Sequence, residues 1–168
     1  MTVDPAHVRY AQKRRVQQLQ IRPARINDRD VLVEGNQSLA RETENLELEP
    51  QIVALGVEHL MHHPELGQYW IAENDRGILG QCMITTEWSD WRNAPMWWFQ
   101  SVYVWPSARR QGVFRQLHQH VVTQARAQGV AELRLYVEKD NKVAQSTYQA
   151  LGLAGGHYEV FEQTLGQS

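Results

Sequence analysis

The chain has 168 residues, a length that predicts one domain with a core large enough to stand without staples. Hydrophobic residues make up 42% and charged residues 21%, with 17 basic against 19 acidic for a net charge of −2; this is ordinary for a soluble globular protein and argues against a surface built throughout for nucleic acid. The single cysteine, Cys82, excludes an internal disulfide framework and a zinc site made of cysteine alone.

Residues 1–20 are polar and basic, with Arg9, Lys13, Arg14 and Arg15 against Asp4. They read as a marginal helix or an arm, either a solvated extension packed on its own domain or a basic arm for an acidic partner. They have no apolar core, so they do not read as a secretory signal. No stretch approaches the roughly 18 apolar residues of a membrane span. A cytoplasmic location, with no membrane or nucleic-acid partner, is the expectation.

From residue 21 onward a single domain is predicted. A first strand covers Gln20-Ile21-Arg22 and stops at Pro23. Asn27-Asp28 caps a helix over Arg29–Leu39, and Glu49-Pro50 opens a second whose apolar stripe runs from Ile52 to Leu60. Tyr69–Glu73 and Gly80–Glu87 read as strands around an Asn74-Asp75-Arg76-Gly77 turn. Trp97–Val104 is a third strong strand, aromatic and β-branched, and Leu133–Val137 a fourth; Tyr158–Leu165 reads as a last one. Between them Val113, Leu117, Val121 and Ala125 recur at helical spacing up to Gly129. Val143, Thr147 and Leu151 repeat the pattern after Asn141, with Gly152 as the stop. This order predicts a mixed α+β domain with one βαβ crossover near the C-terminal end.

Chemistry concentrates in two stretches. In the first, the strand ending Val102-Tyr103-Val104 runs through Trp105-Pro106 into Arg109-Arg110-Gln111-Gly112, and a helix starts at Val113-Phe114-Arg115. A helix N-terminus presents outward N–H groups and a positive dipole end. Gly112 lets the backbone approach a ligand closely. With the arginines, this describes an anion site, most naturally for a pyrophosphate; the alternative is an ordinary strand-to-helix turn with solvated arginines. Neither a G-x-x-x-x-G-K-[ST] loop nor a G-x-G-x-x-G fingerprint is present, so no obligatory metal is expected. In the second stretch, Asn141, Ala144 and Tyr148 share one face of a helix. Asn141 is a good cap, and Tyr148 reads either as a proton donor or as a core tyrosine with a bonded hydroxyl.

The arginine–glycine loop and helix, then a strand, then Asn-x-x-Ala-x-x-x-Tyr-x-x-x-Gly, resemble the GNAT superfamily of acyl-CoA-dependent N-acetyltransferases in detail from Val102 to Leu153, and in element order from Ile21 to Leu165. The resemblance implies a mostly antiparallel sheet whose fourth and fifth strands, here Trp97–Val104 and Leu133–Val137, splay apart to admit acetyl-CoA. It implies that the backbone of Val102, Tyr103 and Val104 flanks the pantetheine arm and that the amides from Arg109 to Phe114 wrap the pyrophosphate. Gln111, Gly112 and Val113 lie within that run and Arg115 just past it. Asn141 then bonds the cofactor chain, and Tyr148 lies near its sulfur. The family usually has glycine at the position of Arg110, and glycine or alanine at that of Phe114. Phe114 must therefore point away from the phosphates or narrow the site.

The implied reaction is direct attack of a primary amine, small or peptidic, on the acetyl thioester. An alkyl amine is protonated at pH 7, so it needs a base or a water chain. Tyr148 would protonate the leaving thiolate, and Glu87 is the first choice for the base. Gln100 and Ser101 interrupt an apolar strand and read as facing the cavity, where they would hold a water. Trp88, Trp91, Trp97 and Trp98 with Asp90 crowd the expected acetyl position, a setting that favours a cationic amine, although some of these tryptophans read equally as core. A non-catalytic acyl-CoA-binding module or sensor keeps the same loop without needing Tyr148 or a base. Members of the family are often dimers; the sequence leaves the oligomeric state open. His59 and His63 have the i, i+4 spacing of a zinc pair but no third ligand, and His118 and His120 read as solvated.

Overall fold

The computed structural model describes residues 19–156 and 159–165. The predicted arm lies outside the described residues up to position 18. The chain forms two compact units, one reaching Tyr136 and one starting at Val137.

The first unit is a five-stranded sheet in the order β1-β2-β3-β4-β5. β1 is Gln20–Pro23, β2 Gly67–Asn74, β3 Gly77–Ser89, β4 Ala94–Val104 and β5 Glu132–Leu135. The first four run antiparallel in sequence, and β5 joins β4 in parallel. The α+β class, the mostly antiparallel sheet and the parallel last pair agree with the sequence reading. Helices α1 (Arg29–Glu44) and α2 (Pro50–His62) connect β1 to β2, and α3 (Val113–Ala127) makes the crossover from β4 to β5.

Alternation along the strands sorts the core into two layers. Trp70, Ala72, Cys82, Ile84, Trp97 and Phe99 point to the α3 side, where Val113, Leu117, Val121 and Ala125 form the buried stripe of the helix. Tyr69 and Ile71 point the other way, against Leu32 of α1 and Val57 of α2. Each fully buried aliphatic side chain, such as Leu32 or Leu117, contributes about 1.5–3 kcal/mol relative to an exposed one.

Several boundaries depart from the sequence reading. Helix α1 continues one turn beyond Leu39 to Glu44 and stops at Asn45, which takes a left-handed conformation with φ of 52°. Asp28 does not cap α1 with its side chain; its carboxylate instead accepts from Arg25 N and takes a two-pronged bond from Arg22. Strand β5 ends at Leu135 rather than Val137, because its partner turns away there. His118 is buried at 7% exposure and stacks on Phe99, and His120 packs on Trp70. The solvated positions assigned to both are therefore corrected: α3 lays this flank, too, on the sheet.

In the second unit, α4 spans Lys142–Ala150. Val143 is 81% exposed, so the stripe read through Val143, Thr147 and Leu151 is not its buried face. The strand read over Tyr158–Leu165 is likewise corrected: Tyr158 lies outside the described residues, and 159–165 form no strand, with Phe161 92% exposed.

Candidate functional site

The parting of β4 and β5 begins with one surplus residue. The β4–β5 ladder runs from Met96↔Glu132 to Phe99↔Leu135 and stops. On the other edge, β4 pairs with β3 at Gln100↔Met83 and again at Tyr103↔Gln81. Ser101 and Val102 thus share the place of one residue opposite Cys82, a β-bulge, with Ser101 at φ of 47°. The bulge inverts the alternation. Phe99 faces α3, yet Tyr103 faces α1, where its hydroxyl donates to Glu42 Oε1 at 2.8 Å. Beyond Phe99, residues 100–104 of β4 have β3 on one side and no β5 partner on the other.

That unpartnered stretch leads directly into the basic loop. A short 3₁₀ turn over Pro106–Ala108 follows, then Arg109, then Arg110 at φ of 62° and Gly112 at φ of 78°. Left-handed residues within a turn make a concave backbone that collects N–H groups. Gly112 is the N-cap of α3, no side chain caps the helix, and the first bond of its ladder runs from Gln116 N to Gly112 O. The first turn therefore opens toward the loop. The positive φ at Arg110 explains physically why glycine suits that position.

The loop arginines divide their work. Arg109 donates from Nε to Val104 O at 2.9 Å and pairs through its guanidinium with Glu42 at 2.6 Å, lying over the Tyr103 ring. Its side chain fastens the loop to α1. Burial works against the charge of Glu42, yet the bonds from Tyr103 and Arg109 hold its carboxyl below the ordinary value. Arg110 and Arg115 are exposed and make no ion pair among the described residues. Gln111 closes the turn with a bond to Ser107 O. The Val113 side chain is core, and Phe114 turns toward Phe99 and His118, at centroid distances of 6.3 and 6.2 Å.

On the α1 face of the sheet, Glu87 Oε2 accepts from Trp98 Nε1 at 2.6 Å. Arg134 lies over the Trp98 ring, and Tyr136 stacks on it at 4.6 Å. Gln100 is held by Thr85 on the same face. The structure therefore brings Glu87, Trp98 and Gln100 to one face but does not gather the tryptophans. Trp97 is core on the opposite side, Trp88 alternates away from Glu87, and Trp91 stands 90% exposed at the β3–β4 turn beside Asp90.

In the second unit, Asn141 Oδ1 caps α4 by accepting from Ala144 N at 3.0 Å. Asn141, Ala144, Gln145 and Tyr148 are half-buried, while their helical neighbours are exposed. They mark the less exposed face of α4, and burial pushes the Tyr148 phenol up.

Three polar residues absent from the sequence reading of the site, Asn36, Tyr69 and Gln81, converge with Ser101, which that reading places at the cavity. Asn36, Tyr69 and Ser101 line a cavity of about 470 Å³ between α1, α2 and the sheet, and Gln81 sits behind Asn36. Glu42, which holds Tyr103 and Arg109, also lies outside the sequence reading, on the last turn of α1. A glutamine inside the apolar run Gly80–Ile84 was the available signal. Among the described residues, no three His, Cys, Asp or Glu side chains cluster to hold a metal ion, and no helix is long and apolar enough to cross a membrane.

Comparison with known proteins matches these features. A possible acetyltransferase from Clostridium difficile 630 shares 35% identity over 89% of this chain and 99% of its own, with a TM-score of 0.84. A predicted acetyltransferase with acetyl-CoA from Clostridium acetobutylicum shares the fold at 16% identity, 87% and 96% coverage and a TM-score of 0.73. No match was found among the curated proteins. The family model for the acetyltransferase (GNAT) family covers residues 33–153, which takes in the bulged strand, the basic loop and the asparagine–tyrosine helix alike, and the chain belongs to that family.

Proposed function

We propose that the protein transfers an acetyl group from acetyl-CoA to a primary amine by direct attack in a ternary complex. The observation that carries this is the continuous path from the bulge at Ser101 along the unpartnered edge of β4 to the left-handed loop at Arg110–Gly112. An open strand edge bonds an extended amide-bearing arm as a further strand would. A loop with inward N–H groups and a helix N-terminus suits a pyrophosphate. Arg110 and Arg115 add charge there, whereas Arg109 braces the loop. The backbone N–H near Val102, set by the bulge, is the proposed donor for the oxyanion. Tyr148 is the proposed acid for the leaving thiolate, its hydroxyl kept protonated by burial. Glu87, presented by Trp98 Nε1, is the proposed carboxylate that draws the cationic amine and takes its proton.

Calorimetric titration with acetyl-CoA, followed by thiol release over an amine panel, tests the reading. Tyr148→Phe is expected to leave acetyl-CoA affinity within about twofold and to lower kcat by about 10²–10⁴. The absence of heat with acetyl-CoA would overturn the proposal. Binding without transfer to any amine would point instead to a non-catalytic acyl-CoA-binding module.

A further inference from the structure

On the α1 side of the sheet, one backbone carbonyl sets the direction of a chain of side-chain hydrogen bonds. Gln81 is wholly buried, and its amide lies 3.3 Å from Leu32 O and 2.9 Å from the Asn36 amide. A carbonyl only accepts, so the nitrogen of Gln81 must face it. The Asn36 atom facing that nitrogen is then its oxygen, which leaves Asn36 Nδ2 to donate to the Tyr69 hydroxyl at 2.9 Å. Gln81 Oε1 is left buried without a partner, so the arrangement is kept at a cost.

The Tyr69 oxygen thus accepts a hydrogen bond from Asn36, and the Ser101 hydroxyl lies beside it. The two hydroxyls bring two protons, and an interaction between them occupies at most one. The second is left for a third group, and Asn36, Tyr69 and Ser101 all line the cavity of about 470 Å³. Burial pushes the Tyr69 phenol up, so the pair donates rather than ionises. The other walls are apolar, including Leu39, Val53, Val57 and Met83, and the Glu44 carboxylate lies among the lining residues. A hydroxyl donor in an apolar recess selects for an oxygen, and a carboxylate nearby favours a cation.

Resting on the acetyl-transfer reading above, we propose that this cavity seats the acceptor and that the Tyr69–Ser101 hydroxyl pair determines its specificity, selecting a primary amine with an apolar side chain and a carbonyl oxygen beside the amine. That unit is common to a hydrophobic amino-acid amide and to a peptide N-terminus. The pair touches the acceptor; Asn36 and Gln81 are positioning residues that set which way it donates.

The test compares leucinamide with isoamylamine, which lacks the carbonyl, and with glycinamide, which lacks the side chain. Leucinamide against leucyl-glycyl-glycine tells which source supplies the unit. The wild-type protein is expected to favour leucinamide by about tenfold in kcat/KM over isoamylamine, and by about 10–200-fold over glycinamide. Tyr69→Phe/Ser101→Gly removes both hydroxyls, and glycine suits the positive φ at 101. In this variant the leucinamide-to-isoamylamine ratio is expected to fall toward one, mainly through a higher KM for leucinamide, with a cooperative thermal melt as the check on folding. An unchanged ratio in the variant, or a wild-type protein indifferent to the carbonyl, overturns the proposal. Acetylation of unrelated amines alone would overturn it too and leave acetyl transfer standing. If no amine releases thiol, calorimetric titration of leucinamide into the CoA-saturated protein decides: binding that the variant weakens upholds the pocket, and no binding overturns it.

Discussion

Gly35 and Gln81 form a single packing decision. A Cβ at Gly35 would lie 2.6 Å from Cδ of Gln81 and collide with its Oε1. The amide cannot swing aside without giving up its bonds to Leu32 and Asn36. Gly35→Ala therefore sets a helix-propensity gain of about 1 kcal/mol against overpacking of about 1–3 kcal/mol and a broken buried bond of about 1–3 kcal/mol. The expected result is a net loss of about 1–5 kcal/mol, read as a lower urea midpoint at unchanged slope. This pair was only half legible beforehand. A glycine inside a helix and a glutamine inside an apolar strand are each visible in the sequence, but their meeting 46 positions apart depends on how α1 crosses the sheet.

At the scale of elements, the loop before α3 holds two left-handed residues with opposite prospects. Nothing lies within 4 Å of a Cβ built at Gly112, so Gly112→Ala meets only backbone strain. It is expected to destabilise the unliganded protein by about 1–2 kcal/mol. Arg110→Gly relieves strain of the same size while loosening the unfolded chain by about 0.5–1 kcal/mol, so its midpoint should hold or rise slightly. Its acetyl-CoA affinity should fall with the lost charge. Thermal melts with and without ligand separate the two effects. The sequence showed this loop well, because proline, arginine and glycine at fixed spacing are local facts. It also showed the helices and the four strong strands, where apolar periodicity runs long. Ends were less visible: β5 stops at Leu135 because β4 has bulged away, and α1 runs to Glu44 because Asn45, not a glycine, supplies the stop. The tryptophans misled for a related reason, since strand alternation sends Trp97 and Trp98 to opposite layers.

For the molecule as a whole, two sets of titrating groups predict an asymmetric acid limb. Burial lowers the pKa of His118 and His120 below the ordinary 6.5. Between the folded and unfolded values the unfolded chain binds more protons, so their contribution is intact above about 6.5 and is lost as pH falls. Hydrogen bonds from Arg22 hold Asp28 and Glu73 below their ordinary values of 3.8 and 4.5, so their contribution is intact above those values and is lost only in stronger acid. The melting temperature is expected to sag first below pH 6.5 and again below about pH 4.5. His118→Phe, stacked on Phe99 in the same place, should reduce the upper step to the part His120 contributes and spare the lower. The surplus residue in β4 has a consequence at this scale as well. Straightening the bulge with every residue kept would restore an uninterrupted zigzag and swing Tyr103 from the α1 layer to the α3 layer, releasing Glu42 from its phenol and stripping Arg109 of the ring beneath it. A one-residue change of register in mid-strand would then unmoor a loop several positions downstream, so cleft and clasp stand or fall on one irregularity.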